Sequence, residues 1–158
     1  MQKEPMTHED YDKLTNLLNE LKTVRRPQIL VAIEEARQLG DLKENAEYHA
    51  AKEDQANVNK QIAELEDIVT RAVVIDPKTL PHDKISFCST VKLVDLDTDE
   101  EVIYKIVSSA NSNPTLGHIS FHSPLAKQLL GKEEGDEISA TLPGGKREFE
   151  VIEIYYED

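Results

Sequence analysis

The chain has 158 residues, of which 39% are hydrophobic and 31% are charged, and its formal net charge is -13. This is too apolar for a disordered chain, and the length suits one ordinary domain or two small ones. The sequence has no run of about 20 apolar residues, as a membrane span requires, and no apolar signal segment follows Met1. With Cys88 as its single cysteine, the chain has no internal disulfide framework and no cysteine-rich zinc site, so we expect a cytoplasmic protein.

The acidic balance also limits the function. At long range, a surface of this charge is repelled by phosphate backbones and by anionic membranes. Unassisted binding of nucleic acid by the whole surface is therefore not expected, and a role on nucleic acid would need a partner that holds the protein there.

The first half of the chain has helical periodicity. The spacing predicts a helix from about residue 7 to 24, a kink or break at Arg25-Arg26 and a second helix from Pro27 to Leu39, which Gly40 ends. The predicted inward faces are formed by Leu14, Leu17, Leu18, Leu21 and Val24 in the first helix, and by Ile29, Ala32, Ile33, Ala36 and Leu39 in the second.

A short turn at residues 41–44 leads into a further helix. The side chains of its predicted apolar face are small near the turn and mostly larger farther from it: Ala46, Ala50, Ala56, Ile62, Leu65, Ile68, Val69 and Ala72. Two helices joined by so short a turn run antiparallel, and an arm of roughly 30 residues extends about 45 Å. Asp41 and Glu44 at its tip fit either ordinary helix capping or a functional pair of acids.

The second half has the period of two that is typical of strands. Strands are predicted at residues 89–95, 102–107 and 148–155, with a short helix opened by Ser123-Pro124 and a hairpin turn at Pro143-Gly144-Gly145. The prediction is an α+β chain with a helical hairpin domain (1–76), a linker (77–86) and a small antiparallel β domain with one short helix (87–158).

No catalytic constellation is found along the chain. The five histidines have no motif spacing and are read as surface or capping residues, and Cys88 is read as a core residue. The chain is therefore not expected to be an enzyme by itself.

The tip carries a more specific signal. The run GDLKENAEYHAAKE at residues 40–53 resembles the hairpin-tip signature of the Gre family of bacterial transcript-cleavage factors. Further similarities follow in the family's order at Arg25-Arg26-Pro27, Ser123-Pro124-Leu125-Ala126 and Pro143-Gly144-Gly145, so the resemblance spans essentially the whole chain.

The resemblance implies a fold and a role. Family members join an N-terminal coiled-coil hairpin to a C-terminal FKBP-like domain, which docks at the rim of the secondary channel of bacterial RNA polymerase. The hairpin reaches the catalytic Mg²⁺, and the polymerase then cleaves its own backtracked RNA. Carried over, this makes Asp41 and Glu44 the functional acids that share Mg²⁺ only within the complex, with no cofactor bound alone. It also implies a monomer, since a single copy suits insertion into the channel.

By the same resemblance, further residues receive roles. Polymerase docking is implied for Ile119, His122, Ser123 and Pro124, and proximity to the nascent RNA 3′ end for Arg37, Lys43 and Lys52. The chain departs from the family pattern at Ser108-Ser109-Ala110-Asn111, where glycine and acids are usual, and at His122, where a small polar residue is usual.

Three other interpretations stay open. An inhibitory relative of the family would share this architecture, but such relatives carry more acidic tips. A peptidyl-prolyl isomerase would need an aromatic-lined apolar pocket, for which the second half offers few aromatic residues and no tryptophan. A passive coiled-coil adaptor would tolerate any polar tip.

Overall fold

In the computed structural model, which describes residues 2–156, the chain forms two compact units. We call His8–Ala72 the helical unit, and we call Glu4–Thr7 together with the chain from Val73 onward the sheet unit. The division falls after Ala72 rather than after residue 76, and residues 77–86 belong to the sheet unit. Strand β1 (Glu4–Met6) forms a two-stranded sheet with β2 (Ala72–Val74).

The first arm of the helical unit is continuous. Helix α1 (His8–Glu20) passes through a π-helical turn (Leu21–Arg25) into α2 (Arg26–Arg37). The predicted kink or break at Arg25-Arg26 is thus a π-helical turn within one continuous arm, and the helical arm does not end there. The backbone N–H of Arg26 reaches back to the carbonyl of Leu21, and this wider turn lets the chain pass Pro27, which has no N–H, without leaving the helix.

Helix α3 (Ala46–Arg71) packs antiparallel to α2 and returns along the hairpin. Their shared core contains Ile29, Ile33, Ala51, Val58 and Ile62, with Leu18, Leu21 and Tyr48 against it. An ion pair between Lys22 and Glu66, with an N–O distance of 2.7 Å, links the two arms at the surface.

The predicted helix faces need correction near the tip and in α1. The inward face of α3 contains Tyr48, Ala51 and Val58, whereas the side chains predicted to face inward are exposed at Ala46, Ala50 and Ala56. On the other arm, Leu17, Val24, Ala32 and Leu39 are exposed as well. Alanine occurs on both faces of a helix, so a run of alanines does not fix which face is buried.

The sheet unit contains a five-stranded sheet in the order β5-β4-β3-β7-β6. Its elements, in chain order, are β3 (Ser89–Asp95), β4 (Glu101–Val107), β5 (His118–Ser120), α4 (Pro124–Leu129), β6 (Glu137–Leu142) and β7 (Gly145–Tyr156). The pairings are antiparallel except that β5 runs parallel to β4, so the sheet is mixed.

Helix α4 covers the apolar face of this sheet. The buried cluster includes Val91, Leu93, Ile106, Leu125, Leu129, Ile138, Phe149 and Val151. Cys88 is buried, as predicted. The Ser108–Asn111 departure forms a short 3₁₀ turn at Ser109–Asn111, where the Ser109 hydroxyl lies 3.1 Å from that of Ser120. Between residues 2 and 156, no helix has the length and apolar character to cross a membrane.

Candidate functional site at the hairpin tip

The turn between α2 and α3 depends on a glycine. Helix α2 ends at Arg37, and the chain reverses through residues 38–45 before α3 begins at Ala46. Gly40 adopts a φ of 120°, in a region that residues with a side chain rarely enter. The backbone can therefore leave α2 sharply and present the following residues at the tip.

Asp41 and Glu44, the predicted functional acids, are both exposed on this turn. The Asp41 side chain accepts a hydrogen bond from the backbone N–H of Lys43 through Oδ1 at 2.9 Å, which closes an Asx turn. Neither acid caps α3, because the residue in the N-cap position is Asn45. The capping interpretation of Asp41 is thus wrong.

Asn45 connects the two helices at the tip. Its Oδ1 accepts a hydrogen bond from the N–H of Tyr48 at 3.0 Å, and its Nδ2 donates to the carbonyl of Ala36 at 2.6 Å. One amide side chain therefore caps α3 and binds the last turn of α2. The sequence signal for this residue was its place just before the helical run, in the N-cap position.

The acids line a surface concavity of about 390 Å³ at the tip, together with Leu39, Asn45, Ala46 and Glu47. Within the described part of the chain, no three His, Cys, Asp or Glu side chains are grouped so that they could hold a metal ion. Magnesium requires six oxygen ligands in near-octahedral geometry, of which one or two are often protein carboxylates. Asp41 and Glu44 by themselves do not make up such a ligand set.

Three cations predicted to lie near RNA surround the same tip. Arg37 ends α2, Lys43 lies in the turn and Lys52 lies on α3, and all three are exposed. The ammonium of Lys52 donates to Oε1 of Gln55 at 3.1 Å. The helical unit therefore brings the two acids and the three cations to one end of the hairpin.

The predicted docking residues form a second group, in the sheet unit. Ile119 lies on β5, and His122, Ser123 and Pro124 lead into α4. Ser123 is the N-cap of α4, and its hydroxyl accepts a hydrogen bond from the N–H of Ala126 at 3.2 Å. Pro124 is exposed at the first helical position, where its missing N–H costs nothing.

His122 has a partner that the sequence did not indicate. Its Nε2 is buried and lies 3.1 Å from a carboxylate oxygen of Glu4 on β1, at angles that do not form a hydrogen bond. These residues are 118 positions apart in the chain, and only tertiary structure could bring them together.

A second concavity in the sheet unit, of about 340 Å³, has both charged and apolar residues in its lining. It is lined by Val102, Tyr104, Leu142 and Phe149 and carries the ion pair of Asp95 with Arg147, whose N–O distance is 2.8 Å. The hydrogen bond from Arg147, followed by that from the N–H of Asp97, lowers the pKa of Asp95.

Two family models match the chain in succession. The model described as "Transcription elongation factor, N-terminal" matches residues 4–74, and the one described as "Transcription elongation factor, GreA/GreB, C-term" matches residues 80–156. Together they cover both units. With its acidic-tipped helical hairpin and its small mixed-sheet domain matched by these two models, the chain is a transcription elongation factor. It belongs to the GreA/GreB family.

Individual relatives agree with this assignment. The chain is 58% identical to the transcription elongation factor GreA of Aliarcobacter butzleri, and the alignment covers 100% of this chain and 98% of that one. It is also 58% identical to the factor of the same name from a Sulfurovum species, with the same coverage. Among solved structures, GreA factor homolog 1 of Thermus thermophilus is 31% identical over 98% of this chain and 99% of that one, with a TM-score of 0.47.

Proposed function

We propose that this elongation factor stimulates RNA polymerase to cleave the 3′ end of a backtracked transcript, with Asp41 and Glu44 acting inside the polymerase active site. The observation that carries this proposal is the exposure of both carboxylates on the turn that ends a helical hairpin. Helix α3 alone has 26 residues and extends about 39 Å, so the acids can reach a recessed site.

The tip acids supply oxygen ligands in this proposal. A bound Mg²⁺ beside the polymerase's own catalytic ion would stabilise the attacking and leaving oxygens of phosphodiester hydrolysis. Asp41 and Glu44 provide part of the coordination that such an ion needs, and one of them can orient the attacking water. In this proposal the polymerase supplies the remaining ligands and performs the cleavage, and the chain acts as an accessory factor.

Docking is assigned to the segment around the start of α4. Pro124 is exposed and Ser123 fixes the first turn of α4, so this segment offers a rigid contact surface to the polymerase. The net charge of -13 disfavours binding to free nucleic acid, which leaves recognition to the protein partner. Arg37, Lys43 and Lys52 are then the groups available to the RNA 3′ end near the tip.

The test uses a bacterial RNA polymerase stalled in a backtracked complex, with Mg²⁺ and the full-length factor. Asp41→Asn and Glu44→Gln remove a charge while keeping the shape, and Asn can still accept the hydrogen bond from Lys43. We expect each variant to lose stimulation by about a hundredfold or more, in the range of a lost transition-state contact. Binding to the polymerase, measured by competition with the labelled parent, should stay unchanged.

Glu53→Gln is the matched control, since Glu53 is an exposed acid on α3 beyond the tip. It should stimulate like the parent. Normal stimulation by both tip variants would overturn the proposal, and cleavage of free RNA by the factor alone would overturn its assignment as an accessory protein.

A further inference from the structure

The segment that carries the two acids has no helix or strand of its own. Residues 38–45 form turns and bends between α2 and α3, and their side chains are mostly exposed. Fixing the backbone of a flexible residue costs conformational entropy. If the tip had to be ordered on binding, this cost would weaken its binding of a shared ion. Contacts that order the tip beforehand therefore matter to its function.

A chain of hydrogen bonds connects this segment to α3 through His49. The exposed imidazole lies with Nε2 3.2 Å from the carbonyl of Lys43, and the N–H of Lys43 donates to Oδ1 of Asp41 at 2.9 Å. A carbonyl only accepts, so Nε2 must carry the proton in this contact. The ring of His49 also meets the half-buried ring of Tyr48 edge-on, with 5.7 Å between centroids.

Asn45 fixes the same segment from its other end. Its amide holds the last turn of α2 and the first turn of α3 together, so the two ends of the turn cannot move apart independently. His49 and Asn45 thus act on the middle and on the end of the segment, and neither is one of the two acids that would bind an ion.

We propose that His49 and Asn45 are positioning residues that hold Asp41 and Glu44 in a conformation ready to bind the shared Mg²⁺. This inference rests on the proposed function and deepens it, because it assigns roles to two residues outside the acidic pair. With a rigid tip, the factor needs less Mg²⁺ to reach half of its full stimulation of cleavage. Docking on the polymerase does not depend on the rigidity of the tip.

The experiment measures cleavage by stalled polymerase while Mg²⁺ is varied, using full-length His49→Ala and His49→Gln. We expect His49→Ala to raise the Mg²⁺ concentration for half-maximal stimulation about three- to tenfold, as for the loss of one hydrogen bond. Since a glutamine amide can donate to the carbonyl of Lys43, His49→Gln should recover most of this loss. His8→Ala, at an exposed histidine on α1, is the control and should match the parent.

Asn45→Ser separates the two functions of Asn45. The serine hydroxyl keeps an acceptor for the N–H of Tyr48, but the amide donor to Ala36 is lost, so α3 stays capped while the tip loosens. The substitution adds no charge beside the acids, and it should raise the Mg²⁺ requirement without lowering the helix content seen by circular dichroism. Asn57→Ser, the same replacement at an exposed site within α3, should have no effect.

The inference is overturned if the Mg²⁺ requirement of His49→Ala equals that of the parent, or if polymerase binding and helix content fall instead. Asp41→Asn and Glu44→Gln, run in parallel, separate this outcome from failure of the proposed function. If those two variants lose stimulation while the His49 and Asn45 variants behave like the parent, the positioning roles alone are wrong.

Discussion

Asp95 is a buried carboxylate that two donors keep ionised. Its side chain is 6% exposed and accepts hydrogen bonds from the Arg147 guanidinium and from the N–H of Asp97, each at 2.8 Å. The hydrogen bond from Arg147 is the largest cause that lowers the pKa of Asp95, and Asp95 in turn raises the pKa of Arg147. Burial acts in the opposite direction on both groups and is outweighed.

The lowered pKa of Asp95 predicts how stability changes with acid. Because the folded pKa lies below the unfolded value of about 3.9, the ionised pair stabilises the fold above that pH. This contribution is lost as the pH falls through the folded pKa. The gap in unfolding free energy between the parent and Asp95→Asn should therefore be constant near neutrality and shrink below about pH 4.

Urea unfolding at a series of pH values measures this gap. Asp83→Asn, at an exposed acid of the sheet unit, serves as the control and should show no such narrowing. A gap that stays constant or widens as the pH falls would contradict the assigned ion pair.

At the scale of elements, the hairpin is held by one seam of side chains. Tyr48, Ala51, Val58 and Ile62 lie three, seven and four residues apart along α3, which keeps them on one helix face, and they pack with Ile29 and Ile33 of α2. The residues between them are mostly polar and exposed. The stability of the arm therefore depends on a few buried contacts and not on helix propensity alone.

Ile62→Ala tests this seam. Ile62 is 5% exposed, so its truncation should destabilise the helical unit by about 2–5 kcal/mol, through lost burial and the cavity left behind. Leu30→Ala, at a residue of α2 that is 52% exposed, should change stability by about 0.5 kcal/mol or less. Urea unfolding followed by far-ultraviolet circular dichroism reports the helices, and equal effects of the two variants would contradict the described packing.

At the scale of the whole molecule, two groups of predicted site residues lie in two different compact units. The acids and cations of the tip belong to the helical unit, and the docking segment before α4 belongs to the sheet unit. Because they share no element, their contributions should combine independently.

Pro124→Ala and Asp41→Asn test this independence. Pro124→Ala should weaken polymerase binding about three- to tenfold, as for one interface contact, and leave stimulation at saturating factor unchanged. Asp41→Asn should do the reverse. The double variant should show both losses, additive to within about 0.5 kcal/mol. A large departure from additivity, measured by titrating each factor into stalled complexes, would contradict separate roles.

The sequence alone determined the helical hairpin, the mixed α+β composition, the family and the bounds of β3, which match the structure at Ser89–Asp95. These features come from local patterns, namely apolar period, turn residues and one long tip motif. It also named Asp41 and Glu44, whose role at the tip stays a prediction until it is tested.

Tertiary structure decided the rest. A strand of three residues such as β5 is too short to show a period, and alanines near the tip leave the phase of α3 open, so neither could be predicted. Three contacts join residues that no local spacing relates: the contact of His122 with Glu4, the ion pair of Asp95 with Arg147, and the hydrogen bond from Asn45 to Ala36. Such contacts exist only once the backbone is folded, because long-range pairs form wherever packing brings donors and acceptors together.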